Sequence, residues 1–382
     1  MKENSNNIKV LICTNAFDIV SNGAAKFARV LYDEAEKFDI EVRVLTEDIP
    51  KDINNSVYKL NLSISKVLSP FGQFIRMWKY YQKAKQIKKT YNYDILVYNN
   101  ALVGYISNLF FKPTIGIIHD YSNSSVNLMS VIKGKEKISK RLVFHYVEQF
   151  YSNSKNSRLI VNSNYLKNEL IRSYNCSERK ISVMNMLIEN KLIKKSKEIN
   201  LDNKINNSIL FIKSDYKLGG LFDLINALNR FERSIIFTIV GPPLINHQLI
   251  KERITNPLIK LSIYDYLPQN RVYELMDKYD VFCVPSHKEA FGLANIEALV
   301  HGCKVVSTNV GGIPEAIGDF KNVYLVPPSD SNALFLKIKD IFETGYKGSE
   351  EVYIQMQRFS SEEVIKRFKQ IIDQNINQKS KG

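Results

Sequence analysis

No stretch of this 382-residue chain approaches the roughly 18 consecutive apolar residues of a bilayer-crossing helix, so a membrane-spanning helix is excluded. The opening residues, MKENSNNIKV, lack the apolar core of a secretory leader, and the expected location is cytoplasmic. Cysteine is scarce: there are four, Cys13, Cys176, Cys283 and Cys303, with no CxxC pair among them. That argues against a structural zinc site, which needs closely spaced ligand pairs. Cys13 and Cys283 stand in apolar runs and read as buried, reduced thiols. No DxD-type acidic pair stands at a suitable strand end, and no low-complexity array is present. Acidic residues are outnumbered, 39 against 53 basic ones, for a net charge of +14. Such a balance draws anions, whether nucleic acid, anionic lipid or phosphorylated substrates, and says nothing about fold. No nucleic-acid reading motif accompanies the charge, so nucleic acid is set aside as a partner.

What is present is ordinary for a globular protein, 45% hydrophobic and 24% charged residues. The length exceeds one typical core, so two domains are expected. Lys9 to Cys13 reads as a strand, Ala24 to Phe38 as a helix and Ile40 to Leu45 as a strand, a βαβ opening of a parallel sheet. Phe71 to Lys89 reads as a helix with Phe71, Phe74, Ile75, Trp78 and Tyr81 at helical spacing and lysines interleaved. That pattern suits either a core-facing stripe or a basic amphipathic helix on a membrane surface. Strands follow at Asp94 to Tyr98 and at Thr114 to Ile118, the latter ending in His119-Asp120. Tyr121 to Lys140 reads as an irregular basic loop, and Lys140 to Tyr151 as a helix. Arg158 to Asn162 is a strand, Ser163 caps a helix to Tyr174, and Lys180 to Met184 closes this half. Lys191 to Asn207 is polar and reads as a linker, with the domain boundary near residue 195.

The second half repeats the alternation. Ser208 to Ile212 is a strand, the loop from Lys213 to Gly220 precedes a helix from Leu221 to Phe231, and Ile235 to Val240 and Ile259 to Tyr264 are strands. Pro268 to Tyr279 is a helix. After it, Val281 to Pro285 reads as a buried strand, a loop carries Glu289, and a helix starting near Phe291–Gly292 carries Glu297. A strand from Cys303 to Ser307 leads to the turn Gly311–Gly312, and Pro314 sits where a helix can begin. Val323 to Val326 is a strand, Asp330 to Phe342 a helix, and Ser360 with Glu363 forms a capping box for the last helix.

Ligands of parallel α/β sheets sit at the carboxyl ends of the strands. Gly292 lets the backbone approach a bound group, and the N–H groups from Gly292 to Asn295 face an anion at a helix start. Glu289 and Glu297, one on the loop and one about a turn into the helix, can face one pocket and accept hydrogen bonds from sugar hydroxyls. Amides for a phosphate and carboxylates for a polyol together fit a nucleotide-sugar. A plain crossover with solvated acids is the alternative.

Glu289-Ala-Phe-Gly-Leu-Ala-Asn-Ile-Glu297 has the E-x7-E spacing of retaining GT-B glycosyltransferases, and the sequence PSHKEAFGLANIEALVHGCKVVSTNVGGIPEAI resembles glycosyltransferase family 4. The resemblance is strong over Ser208 to Leu325 and looser elsewhere. It implies an α/β protein of the GT-B type, two Rossmann-like domains facing across a cleft. These would be an acceptor-side domain over 1–195, a nucleotide-sugar donor domain over 196–358, and a C-terminal helix, 359–382, returning to the first domain. The implied activity is retaining transfer of a hexose-type sugar from a nucleotide diphosphate donor, with the nucleotide-sugar as co-substrate and no metal or other cofactor. Glu289 and His119 would contact the transferred sugar, and Glu297 the ribose. Lys213 and Lys217, the amides of Gly292, Leu293 and Ala294, and the turn at Gly23 would serve the diphosphate. Glu315 would support the glycine turn. His119 read without the resemblance is as well described as a satisfied structural histidine, and the Gly23 turn as a plain helix start. The chain departs from the family at Gly219, where the second basic residue is expected, at Lys213, where arginine is expected, and at Asn185 to Glu189, where a short glycine turn is usual.

Three rivals follow. A nucleotide-sugar epimerase can use the same fold, and a non-catalytic sugar-binding accessory subunit would suit the missing basic residue. The third, nucleic-acid binding, rests on charge alone, with no reading motif beside it. The acceptor implied by class is a glycan or a lipid-linked one in bacterial cell-surface polysaccharide biosynthesis, with peripheral contact at the anionic inner face of the cell membrane.

Overall fold

The computed structural model describes residues 7–17, 23–48, 55–62, 70–104, 106–111, 114–120, 145–146, 148–198, 203–344 and 350–377. The basic stretch from Tyr121 to Lys140 lies outside the described residues, as do Ser21 and Asn22 of the first turn. The chain divides into two compact units, Met1–Leu187 with Ser361–Gly382, and Ile188–Ser360.

In the first unit the strands are β1 (Ile8–Thr14), β2 (Ile40–Thr46), β3 (Val57–Lys59), β4 (Ile95–Tyr98), β5 (Thr114–Ile118), β6 (Ser157–Val161) and β7 (Ile181–Val183). They pair in parallel in the order β3-β2-β1-β4-β5-β6-β7. Strands covered on both faces read as continuous apolar runs, and Val10 to Cys13 and Ile95 to Tyr98 are accordingly buried without exception. Each such aliphatic side chain contributes about 1.5–3 kcal/mol. The helices are α1 (Gly23–Glu34), α2 (Pro70–Thr90), two single turns α3 (Ala101–Gly104) and α4 (Ser107–Phe110), and α5 (Asn164–Tyr174). Ser163 caps α5, its side chain accepting from the Leu166 amide. The C-terminal helix, Ser361–Asn377, belongs to this unit. Its Ile365, Phe368, Ile371 and Ile372 lie in one apolar cluster with Val10, Ile12 and Phe27, and Ser361 donates to Glu34 at 2.8 Å.

Helix α2 corrects its predicted face. The side chains turned into the core are Met77, Tyr80, Ala84 and Ile87, a 3-4-3 spacing offset from the aromatic stripe. Tyr80 can be fully buried because its hydroxyl lies 2.9 Å from Thr14 O and 2.8 Å from Glu47 Oε1, two acceptors for its one proton. Of the stripe read as core-facing, Phe74 is 39% and Trp78 45% exposed, and Ile75 and Tyr81 are half-buried. Trp78, Tyr81 and Phe110 of α4 form an aromatic row with ring centroids 5.3 and 4.8 Å apart. At about 100° per residue, Lys85 and Lys89 share that outward face.

The second unit holds β8 (Ile205–Ile212), β9 (Ile235–Val240), β10 (Ile259–Tyr264), β11 (Tyr279–Val284), β12 (Lys304–Thr308) and β13 (Val323–Val326). They too are parallel, in the order β10-β9-β8-β11-β12-β13. Its helices are α6 (Asn190–Lys195), α7 (Leu221–Leu228), α8 (His247–Arg253), α9 (Gln269–Lys278), α10 (Leu293–Val300), α11 (Ile313–Ile317), α12 (Ser331–Thr344) and α13 (Glu350–Met356). The polar stretch read as a linker instead supplies α6 and a 3-10 turn, Ser196–Glu198. Leu192 and Ile193 are buried, which is enough to dock a lysine-rich turn. The division between units therefore falls at Leu187–Ile188, a few residues before the boundary read near 195.

Candidate active site

In each sheet the strand order reverses direction once, between β1 and β4 and between β8 and β11. Such a switch point opens a crevice at the strands' carboxyl ends, where ligands bind. Lys213 follows the last residue of β8 and Glu289 the loop after β11, so the second unit's switch point brings them together. The Lys213 ammonium and Glu289 Oε2 are 2.5 Å apart, with side chains 22% and 23% exposed. Lys213 also lies 3.5 Å from Ser286 Oγ, a contact no motif announces. Glu289 Oε1 accepts from the Ala290 amide at 3.1 Å.

The glycine turn serves Glu289 directly. Gly312 N donates to Glu289 O at 3.1 Å, and a Cβ on Gly311, whose φ is +60°, would stand 1.8 Å from that same carbonyl. The turn is thus a cradle for the backbone of the acid. The loop after β8 is fastened to the same place, since His287 N donates to Leu218 O at 2.8 Å. A side chain at Gly219 would put its Cβ 2.8 Å from the Phe211 ring, so the second basic residue of the resemblance has no room there. Lys217 is exposed on this loop, its ammonium 5.9 Å from the Tyr216 ring, and the structure does not bring it to Lys213 or Glu289.

Helix α10 begins at Leu293 behind Gly292, which takes φ +88°, a conformation costly to any residue with a Cβ. Asn295 N donates to Gly292 O at 2.9 Å, which narrows the expected row of anion-facing amides to those preceding Asn295. Leu293 and Ala294 amides have no hydrogen-bond acceptor among the described residues. Glu297, on the same helix, is half-buried and accepts from the Tyr273 hydroxyl of α9 at 3.0 Å.

In the first unit, Gly23 is the first residue of α1. His119 follows β5, and its Nε2 is 2.9 Å from Asn99 Oδ1. Asn99 Nδ2 donates to Ala24 O at 2.6 Å and to Thr14 Oγ1 at 3.2 Å, so its Oδ1 is the acceptor and His119 Nε2 carries the proton. His119 Nδ1 is buried and unpartnered among the described residues. Burial lowers the imidazole pKa to about 4, despite the opposing bond to Asn99. Asn99 was not singled out from the sequence, although it stands directly after β4, where the strand-end rule points.

The family described as "Glycosyltransferase Family 4" matches residues 21–188, and "Glycosyl transferases group 1" matches residues 193–373. An uncharacterized glycosyltransferase of Methanocaldococcus jannaschii is 23% identical over 318 residues, 79% of this chain and 80% of that protein. Among solved structures, Anabaena HepE in complex with UDP-glucose superposes with a TM-score of 0.68 at 18% identity, covering 96% of this chain and 100% of that one. WaaG, a glycosyltransferase involved in lipopolysaccharide biosynthesis, gives 0.67 at 16% identity over 95% and 99%. Two doubly wound parallel units of this kind make the GT-B fold. The chain belongs to glycosyltransferase family 4.

Proposed function

We propose that this glycosyltransferase moves a hexose-type sugar from a nucleotide diphosphate donor to a glycan or lipid-linked acceptor, with retention at the anomeric carbon and without a metal. The observation that carries the reading is the Lys213–Glu289 pair at the β8–β11 switch point. An ammonium has three N–H groups, so Lys213 can hold Glu289 and a donor phosphate together. As the bond from the anomeric carbon to the diphosphate breaks, Lys213 offsets the charge gathering on the leaving group, and the Leu293 and Ala294 amides add to it. Lys217 and the Gly23 amide are assigned to the same diphosphate. Glu289 meets the transferred sugar near its reacting face, Glu297 takes the ribose hydroxyls, and His119 Nδ1 accepts from a hydroxyl of the sugar. That HepE was solved with UDP-glucose supports a nucleotide-sugar donor.

Thermal-shift screening of nucleotide-sugars identifies the donor, and transfer is then measured with a chelator present. The parent protein keeps its full rate. Glu289→Gln loses roughly 100- to 1000-fold in kcat with its melting temperature held. A fully active Glu289→Gln variant removes the role of that acid, and a requirement for manganese removes the metal-free reading. Donor binding without turnover across candidate acceptors would favour a sugar-binding accessory subunit, and donor consumption without an acceptor an epimerase.

We further assign the outward face of α2 to an anionic membrane surface, where a lipid-linked acceptor resides. Phe74, Trp78 and Phe110 are exposed, and Lys85 and Lys89 lie on the same face of the helix. Aromatic rings at the headgroup level with lysines beside them are the pattern of an interfacial helix.

A further inference from the structure

Glu297 does not stand alone on α10. Its neighbour one turn on is His301, which follows the last residue of the helix. Residues four apart share a helix face. On α9, Tyr273 and Asp277 are likewise four apart, and the two pairs meet corner to corner. The Tyr273 hydroxyl donates to Glu297 Oε1 at 3.0 Å. His301 Nδ1 and Asp277 Oδ1 are 2.7 Å apart. The rings of Tyr273 and His301 stack, with centroids 4.7 Å apart and planes 28° from parallel.

Each corner is held from behind. Lys195 donates to Asp277 Oδ2 at 2.7 Å. The buried Lys204 ammonium donates to Met276 O and His301 O at 2.7 Å each, tying together the ends of the two helices. Burial alone would raise the Asp277 carboxyl, but the bonds from His301 and Lys195 outweigh it and hold the pKa at about 2. An ionised carboxylate only accepts, so His301 Nδ1 donates and its ring orientation is set. His301 is 1% exposed; packed on that ring, Tyr273 is confined to the pose that reaches Glu297.

We propose that Tyr273 is a positioning residue for the donor's ribose, acting through Glu297 and oriented by the His301–Asp277 pair. A carboxylate on a helix surface samples several rotamers. A bond from a phenol held in place by its ring stack selects among them. This rests on the assignment of Glu297 to the ribose made above.

The test is a double-mutant cycle on the full chain, read by calorimetry with UDP, ADP, GDP and dTDP as probes. Glu297→Gln tests the ribose assignment. Tyr273→Phe keeps the ring stack and removes only the hydroxyl. In the native background Tyr273→Phe is expected to weaken binding of the preferred diphosphate about five- to tenfold, within the net worth of a typical hydrogen bond. In the Glu297→Gln background it should change nothing further. With the sugar donor, KM rises by the same factor and kcat stays within twofold. Equal losses in both backgrounds overturn the proposal, because Tyr273 would then act elsewhere. Native affinity in Tyr273→Phe with weakened affinity in Glu297→Gln overturns it and leaves the ribose assignment standing. Native affinity in Glu297→Gln, or no binding of any probe by the parent, removes that assignment and this proposal together. If Tyr273→Phe melts early, Asp277→Asn, which frees His301 and leaves Tyr273 intact, should weaken the same diphosphate by a smaller factor. Native affinity in that variant also overturns the proposal.

Discussion

His119 owes its chemistry to Asn99. Because Asn99 presents its oxygen, the imidazole proton sits on Nε2 and a lone pair on the buried Nδ1. With the pKa lowered to about 4, against about 6.5 in an unfolded chain, the unfolded protein takes up a proton between those values that the folded one refuses. The contribution to stability is therefore complete above about pH 6.5 and is lost as pH falls toward 4, by up to about 3 kcal/mol. His119→Gln keeps a donor for Asn99 and cannot titrate. Its melting temperature should fall less than the parent's between pH 7 and pH 4.5, and equal falls would show that His119 titrates as an exposed ring. Candidate positions were legible from where they stand in the alternation of elements: Lys213 after β8, Glu289 after β11, His119 after β5. Their contacts were not. Lys213 and Glu289 are 76 residues apart, and only the strand order makes them partners. Tyr273 and His301 carry no motif, and only the crossing of two helices brings them to Glu297.

At the scale of elements, the turn after β12 does more than end a strand. Gly311 presses against the carbonyl of Glu289 in a backbone conformation at φ +60° that side chains resist. Gly311→Ala combines that strain, about 1–3 kcal/mol, with a clash against backbone that has no slack. The variant should melt several degrees lower and bind donor more weakly, and unchanged values of both would show that the acid's backbone can shift freely. Elements bounded by clear signals were legible in the sequence. Thr114–Ile118, Ile235–Val240, Ile259–Tyr264 and Val323–Val326 are strands over those residues, and α5 starts where Ser163 caps it. The face of α2 was misread because five apolar residues at helical spacing outweighed Tyr80, whose polar tip is satisfied by Thr14 and Glu47 only once the strands are in place. The segment after Leu187 was misread for a related reason. Its lysines dominate the composition, while Leu192 and Ile193 are buried and Lys195 reaches Asp277.

For the molecule as a whole, the charge of +14 acquires a direction on α2, where lysines and exposed rings share a face. Trp78 is the sole tryptophan of the chain, so its fluorescence reports on that face without labelling. Vesicles of phosphatidylglycerol and phosphatidylcholine should shift the emission to the blue, and pure phosphatidylcholine should shift it much less. The effect should shrink at high salt and in Lys85→Gln/Lys89→Gln. An emission unchanged by anionic vesicles would sink the membrane assignment. The pairing of the C-terminal helix with the first sheet has a consequence for synthesis. A ribosome makes the apolar bed of β1 and α1 before all of Ile188–Ser360 and the residues that cover it after. The unit begun first is thus finished second. A nascent chain cut short after the second unit would carry Val10, Ile12 and Phe27 without their lid, a sticky fragment for quality control to clear.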